Sequence, residues 1–126
     1  MDRLLLVCLG GALGSGARYL ASEWAKGDGP HPVGTWLVNI GGSFLLGFLS
    51  AALADSDLSP AWKLGLTTGL MGGFTTYSTF SLETAALIER GSFAHAGMNV
   101  GVTLAVCLLA TFVGLWLGRT LFAPAA

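Results

Sequence analysis

The sequence predicts an all-helical membrane protein with four transmembrane helices in each chain. Hydrophobic residues make up 53% of it and charged residues only 10%. Mean hydropathy is +0.70, a balance typical of membrane proteins and foreign to soluble domains of this length. Four apolar stretches, about 4–25, 33–54, 61–89 and 94–122, are each long enough to cross a hydrocarbon core about 30 Å thick. Only short connectors remain, so residues 1–126 form a single membrane domain with no room for a soluble one. The net charge of −1 offers no basic field for nucleic acid.

The first stretch, 4–25, opens on an order of charge, apolar run and small residues that resembles a secretory signal. That reading is set aside because the apolar pattern continues past Arg18 and Asp2 stands beside Arg3. Gly10 and Gly14 form a small-xxx-small face, which implies a packed helix and not a lone anchor. Arg18 has two readings: it snorkels to the interface, or it pairs inside the protein. Cys8, like Cys107 later, sits in an apolar run and is expected to act as a small buried hydrophobe.

The connector KGDGPHP, 26–32, is a turn by composition, and His31 is expected to be a solvated loop histidine. In the second stretch, 33–54, Thr35, Asn39 and Ser43 recur every four residues and share one helix face. An asparagine in hydrocarbon needs partners, so this face either bonds another helix or lines a polar path. The next connector, DSDLSP, supplies Ser59 as N-cap and Pro60 as first helical residue.

The third stretch, 61–89, carries Gly65, Gly69 and Gly73 as another close-packing face. Its centre, GLMGGFTTYSTFSLE, is unlike a plain apolar span: five Ser/Thr hydroxyls lie between Thr75 and Ser81, and a carboxylate follows at Glu83. Two arrangements are open. The hydroxyls bond back to their own helix, which bends, or the helix breaks near Gly72 and Gly73 and its freed carbonyls find protein, water or a cation. Tyr77 and Phe80, three apart, share a face.

The fourth stretch, 94–122, holds the pairs Gly97/Gly101 and Gly114/Gly118. Asn99, Thr103 and Thr111, with Cys107 in the gap, make a second polar face. The tail, 123–126, is expected to fray. Neither His31 nor His95 has a nucleophile or metal-ligand constellation beside it, so no enzyme is implied.

Basic residues divide almost evenly between the two sides of this topology. Arg3, Lys63 and Arg119 fall with the termini; Lys26 and Arg90 fall opposite, with Arg18 leaning their way. The charge bias that normally fixes orientation is therefore nearly absent. Such a chain can insert both ways and assemble as an antiparallel, dual-topology homodimer, a second copy supplying the inverted symmetry that the chain itself lacks.

The strings GGALGSGARY (10–19), GTWLVNIGGSFLLG (34–47) and TTGLMGGFTTYSTFSLE (67–83) resemble the CrcB/Fluc family of fluoride channels over essentially the whole chain. The resemblance implies a multi-pass protein of the plasma or bacterial inner membrane. It also implies a third helix broken mid-membrane, an antiparallel homodimer with two narrow anion pores, and a structural Na+ at the dimer centre. By resemblance the sodium is held by backbone carbonyls of Gly72 and Thr75 from each subunit. The family's pore aromatics fall on Tyr77 and Phe80, where Tyr77 departs from the common phenylalanine. Asn39 matches the pore asparagine, Thr35 and Ser43 extend its face, and Thr103 stands where a pore-side serine is frequent. Arg18 matches a first-helix arginine near a vestibule, and Glu83 a carboxylate of the polar network.

The implied function is fluoride-selective, passive export that confers fluoride resistance, with fluoride and the lipid bilayer as partners. Two other classes compete. A proton-coupled transporter of the small multidrug resistance type would carry a membrane-embedded glutamate in its first span, where this chain has no carboxylate before Glu23 at the end. A non-transporting structural subunit would need the GxxxG faces alone.

Overall fold

The computed structural model describes residues 2–122. Among them the chain is all helix and connector, with no strand. Helix α1 spans Asp2–Trp24 and α2 Val33–Ala52. The third segment starts as α3, Pro60–Leu64, with extended Ser59 as N-cap and proline at the first turn. It runs through a π-helical stretch, Gly65–Met71, into the single turn α4, Gly72–Phe74. Thr75 (ψ 158°) and Thr76 (ψ 112°) are extended, and α5 resumes as Tyr77–Glu89. The last segment comprises α6, Phe93–Gly101, a π-helical stretch, Val102–Val106, and α7, Cys107–Phe122. Three helical runs, Asp2–Trp24, Val33–Ala52 and Phe93–Phe122, are long and apolar enough to cross a membrane. The expected fraying of 123–126 lies outside the described residues.

Backbone-to-backbone contact at glycine joins these elements in two pairs. Helix α1 lies on the 60–74 arm, where Gly10 meets the Gly65 carbonyl, Gly14 meets the Leu70 carbonyl and Gly73 meets the Gly11 backbone. A methyl group at any of these positions would overlap main-chain atoms. Helix α2 lies on α7 in the same way, with Gly47 against Thr111 and Gly114 against Phe44. In hydrocarbon, where apolar side chains gain little by leaving lipid, such close backbone approach is what holds helices together. The Gly97/Gly101 face behaves differently: no atom beyond their own helix lies within 4 Å of a β-carbon built on either.

Connectors are fixed by local bonds. After α5 the chain turns through Gly91 (φ 72°), whose N–H donates to the Ile88 carbonyl while that of Ser92 donates to Leu87, at 2.9 Å each. This is a Schellman closure, and the left-handed φ explains the glycine. The Lys63 ammonium donates to the Ala54 carbonyl at 3.1 Å, tying the start of the third segment to the end of α2.

Two expectations about side chains are overturned. Cys8 is exposed on the protomer surface and not buried, because α1 uses its opposite, glycine-bearing face for packing. His31 is half-buried, stacked on Trp36 with ring centroids 5.6 Å apart, and not a solvated loop residue. Large apolar side chains, among them Leu9, Leu13, Leu108 and Phe112, point outward, as expected of helices that face lipid.

Candidate functional site

The polar residues of α2 converge on the interruption between α4 and α5. Asn39, buried on α2, donates from Nδ2 to the Thr76 carbonyl at 3.0 Å and accepts the Thr76 N–H on Oδ1 at 2.7 Å. Its amide thus stands in for a strand partner and satisfies backbone groups that the extended conformation removes from the helical ladder. The Thr76 hydroxyl caps α5, accepting the Thr79 N–H at 3.2 Å. Thr75 bonds back through Oγ1 to the Met71 carbonyl at 3.1 Å. Back-bonding to the helix is therefore seen at Thr75, whereas the interruption falls at Thr75–Thr76 and not at Gly72 and Gly73, which stay helical.

This exchange leaves two carbonyls without their usual helical donors. The Thr76 N–H that would bond Gly72 goes to Asn39, and the Thr79 N–H that would bond Thr75 goes to the Thr76 hydroxyl. Arg18 offers Thr75 a long bond from Nη1, 3.4 Å. Of its two readings, Arg18 takes the inward one, half-buried beside the interruption.

Two cavities meet at Thr76. One, about 490 Å³, is lined by Arg18, Thr35, Thr76, Thr79 and Glu83 together with His31 and Lys26. The other, about 330 Å³, is lined by Asn39, Ser43, Thr75, Thr76, Tyr77 and Thr103, and continues along Cys107 and Thr111. The fourfold spacing of Thr35, Asn39 and Ser43 carries one helix face from the first cavity into the second.

Within the first cavity Thr35 donates to Glu83 Oε1 at 2.7 Å, which identifies the carboxylate's partner; Oε2 is buried with no partner among the described residues. In the second cavity Thr103 is only 8% exposed, and its Oγ1 makes no hydrogen bond among the described residues. It lies in the Val102–Val106 π-helical stretch, the kind of local distortion that often accompanies function. The second polar face divides there: Thr103, Cys107 and Thr111 line the cavity, whereas Asn99 turns away into the protein.

Asn99, fully buried, accepts the Trp36 Nε1–H at 2.7 Å and donates to the Thr84 hydroxyl at 2.9 Å. Thr84 in turn bonds the Phe80 carbonyl at 2.7 Å. This chain of bonds joins α2, α5 and α6 behind the cavities. Sequence reasoning gave Thr76 and Trp36 no role. The signal for Thr76 lay in its place three residues after Gly73, where the break was expected; for Trp36 none was available.

The aromatic pair is adjacent as expected, ring centroids 5.3 Å apart, but its members differ in environment. Tyr77 is 73% exposed and lines the second cavity, while Phe80 is 6% exposed and lines neither. Gly72 also lies outside both cavities, on the protomer surface.

A family model described as "CrcB-like protein, Camphor Resistance (CrcB)" matches residues 5–115. Among relatives, a protein of Anaeromyxobacter sp. (strain K) named "Fluoride-specific ion channel FluC" is 54% identical over 124 residues, covering 96% of this chain and 98% of its own. One of the same name from Sorangium cellulosum (strain So ce56) is 47% identical over 126 residues, covering 98% and 99%. Another, from Geobacter sulfurreducens, is 43% identical over 124 residues, covering 96% and 100%.

Proposed function

The chain belongs to the CrcB-like family, and from that premise we propose that it is a fluoride-selective ion channel, passing fluoride out of the cell down its electrochemical gradient. It is a multi-pass membrane protein, and channel conduction involves no catalysis. The observation that carries the reading is that two polar cavities share Thr76 in their walls, with Asn39 lining the second.

Fluoride is small and strongly hydrated, so a selective path must replace its water with short donors that do not hold it too firmly. Arg18 supplies positive potential in the first cavity, the vestibule. Asn39 has one N–H committed to Thr76 and a second N–H free for an ion. The unbonded Thr103 hydroxyl, with Ser43 nearby, continues the file of donors. Ring edges carry partial positive charge, and Tyr77, which lines the second cavity, is backed by the buried ring of Phe80. Chloride, larger and a weaker hydrogen-bond acceptor, is poorly served by such a file. Thr35 holds the Glu83 carboxylate in the wall of the first cavity, where Arg18 and Lys26 stand with Glu23.

In this reading the extended residues Thr75 and Thr76 form a break in the third helix at bilayer depth. Two chains of opposite orientation then assemble so that their breaks face each other. Gly72 and Thr75 fit a sodium site: their carbonyls have lost their helical donors, Gly72 has no side chain, and carbonyl oxygen suits a hard cation. Bound sodium would satisfy those oxygens from both subunits and tie the dimer together. A second copy also accounts for the unoccupied Gly97/Gly101 face and for the second cavity being open on one side of the protomer.

The proton-coupled alternative gains no support from the relatives, and the single acidic residue lining this path on α5 is tied to Thr35. Purified protein in liposomes, with fluoride efflux followed by electrode and chloride as control, tests the proposal. Rapid fluoride loss with negligible chloride loss is expected; equal or absent flux of both ions overturns it.

A further inference from the structure

Two histidines from distant parts of the chain come together beside the vestibule, whose wall includes His31. His31, in the connector before α2, and His95, in the first turn of α6, have ring centroids 5.0 Å apart with planes inclined at 50°. Neither position was expected to find the other. The pair is held from behind: His31 stacks on Trp36 at 5.6 Å, and Trp36 is fixed by its 2.7 Å bond to Asn99, one turn beyond His95. His31 Nδ1 is sealed from solvent and has no hydrogen-bond partner among the described residues, so this ring carries an unused nitrogen.

A second unused polar atom points to the same place. Glu83 Oε2 is buried without a partner, and Glu83 and His31 line both the vestibule and a smaller cavity of about 240 Å³ beside it. Arg90 also lines the smaller cavity, and Arg18, Glu23 and Lys26 line the vestibule. Among the described residues no group of three His, Cys, Asp or Glu side chains converges. Any metal ion here would therefore have two protein ligands, completed by water.

We propose that His31 and His95 form a binding site for a borderline-soft divalent cation of the zinc, nickel or copper class, beside the vestibule wall that His31 lines. Imidazole is the preferred nitrogen ligand of these ions. Two imidazoles bound to one tetrahedral ion at about 2.0–2.1 Å place their ring centroids roughly 5 Å apart, the separation present here. Magnesium and calcium prefer oxygen and do not compete. Occupancy would hold a hydrated ion against the vestibule wall that His31 lines, and its bulk would narrow that cavity, so zinc slows fluoride flux. That last consequence rests on the channel reading; the binding itself does not.

The test uses the untagged full chain. Zinc titration of the detergent-purified protein by calorimetry should show saturable binding of one ion per chain, weakened at least tenfold in His31→Gln and in His95→Gln. Magnesium should give no signal. The glutamine variants retain hydrogen-bonding capacity, and an unchanged gel-filtration profile checks that they fold. Absence of saturable binding, or binding equally strong in both variants, overturns the site. In liposomes, zinc should slow fluoride efflux by wild type several-fold and leave the efflux of the double variant at its own zinc-free rate. Zinc binding without slowing overturns the link to the path, whereas a protein that carries no fluoride at all refutes the channel reading and leaves the binding result intact.

Discussion

The carboxamide of Asn39 and the backbone of Thr76 close a ring of two hydrogen bonds, 2.7 Å into Oδ1 and 3.0 Å from Nδ2. Only a side-chain amide can accept and donate at once in this geometry. Asn39→Ala strands a buried N–H and a buried carbonyl, each costing about 1–3 kcal/mol. Its melting temperature in detergent should fall clearly, and flux should fall with it. Asn39→Asp keeps the acceptor but loses the donor and adds negative charge beside the path. Fluoride efflux by this variant should drop at least about tenfold, the equivalent of roughly 1.4 kcal/mol; wild-type efflux would remove Asn39 from the path.

Thr103 separates function from stability. Its hydroxyl is buried in the wall of the second cavity without a hydrogen bond. Removing an unsatisfied polar atom relieves a desolvation cost and breaks no contact within the chain. Thr103→Val, close in shape, should therefore melt at or slightly above the wild-type temperature while passing fluoride at least about tenfold more slowly, a loss of roughly 1.4 kcal/mol in ion stabilisation. Reduced stability with normal flux would make Thr103 a structural residue.

Two glycines on α1, two residues apart, should respond in opposite ways to alanine. A β-carbon at Gly14 overlaps the Leu70 carbonyl, whereas one at Gly16 meets nothing within 4 Å. Backbone cannot yield as a side-chain tip can, so Gly14→Ala should destabilise by about 1–3 kcal/mol. Gly16→Ala should be neutral or better by up to about 1 kcal/mol, since alanine is the stronger helix former. Thermal melts of both in one detergent check the contrast; equal melting temperatures would show that α1 does not rest on the 60–74 arm.

Much of this was legible because hydrocarbon leaves few ways to write a helix pair or a polar face. Gly10/Gly14 and Gly114/Gly118 announced close approach, and Thr35, Asn39 and Ser43 announced a continuous polar face. The same signal at Gly97/Gly101 finds no partner within the chain, because glycine spacing marks where a backbone can be approached and does not say by what. Fourfold spacing likewise put Asn99 with Thr103, but the intervening π-helical turn shifts the register and sends Asn99 inward to Trp36. The Asn39–Thr76 ring and the His31–His95 pair join residues 37 and 64 positions apart, respectively. No local pattern encodes such meetings.

Sodium removal tests the proposed assembly. If Gly72 and Thr75 carbonyls of two chains share the ion, exchange of sodium for a bulky organic cation leaves those oxygens facing one another without a counter-charge. The protein should then melt at a lower temperature, and a fraction should run as monomer on gel filtration. Gly72→Ala adds only a methyl group where the protomer has open space. Any loss of sodium dependence in that variant must come from across the dimer. Identical melting with and without sodium would leave the Gly72 carbonyl to water and that of Thr75 to Arg18.

Tyr77 and Phe80 share a contact but should not share a tolerance. The Phe80 ring is buried between helices, and replacing it by isoleucine removes both the aromatic edge and the tilted contact with Tyr77, whose centroid lies 5.3 Å away. Phe80→Ile should abolish fluoride efflux from liposomes while the protein still elutes at the wild-type position on gel filtration. The Tyr77 hydroxyl makes no hydrogen bond among the described residues, and the side chain is 73% exposed. Tyr77→Phe leaves the ring, its edge and its contact in place, so efflux should stay within about twofold of wild type, below roughly 0.5 kcal/mol in barrier. A large loss in Tyr77→Phe would instead make the phenolic O–H a donor to the ion. The departure from phenylalanine at this position would then be a functional choice of this chain, beyond a tolerated variation of the ring.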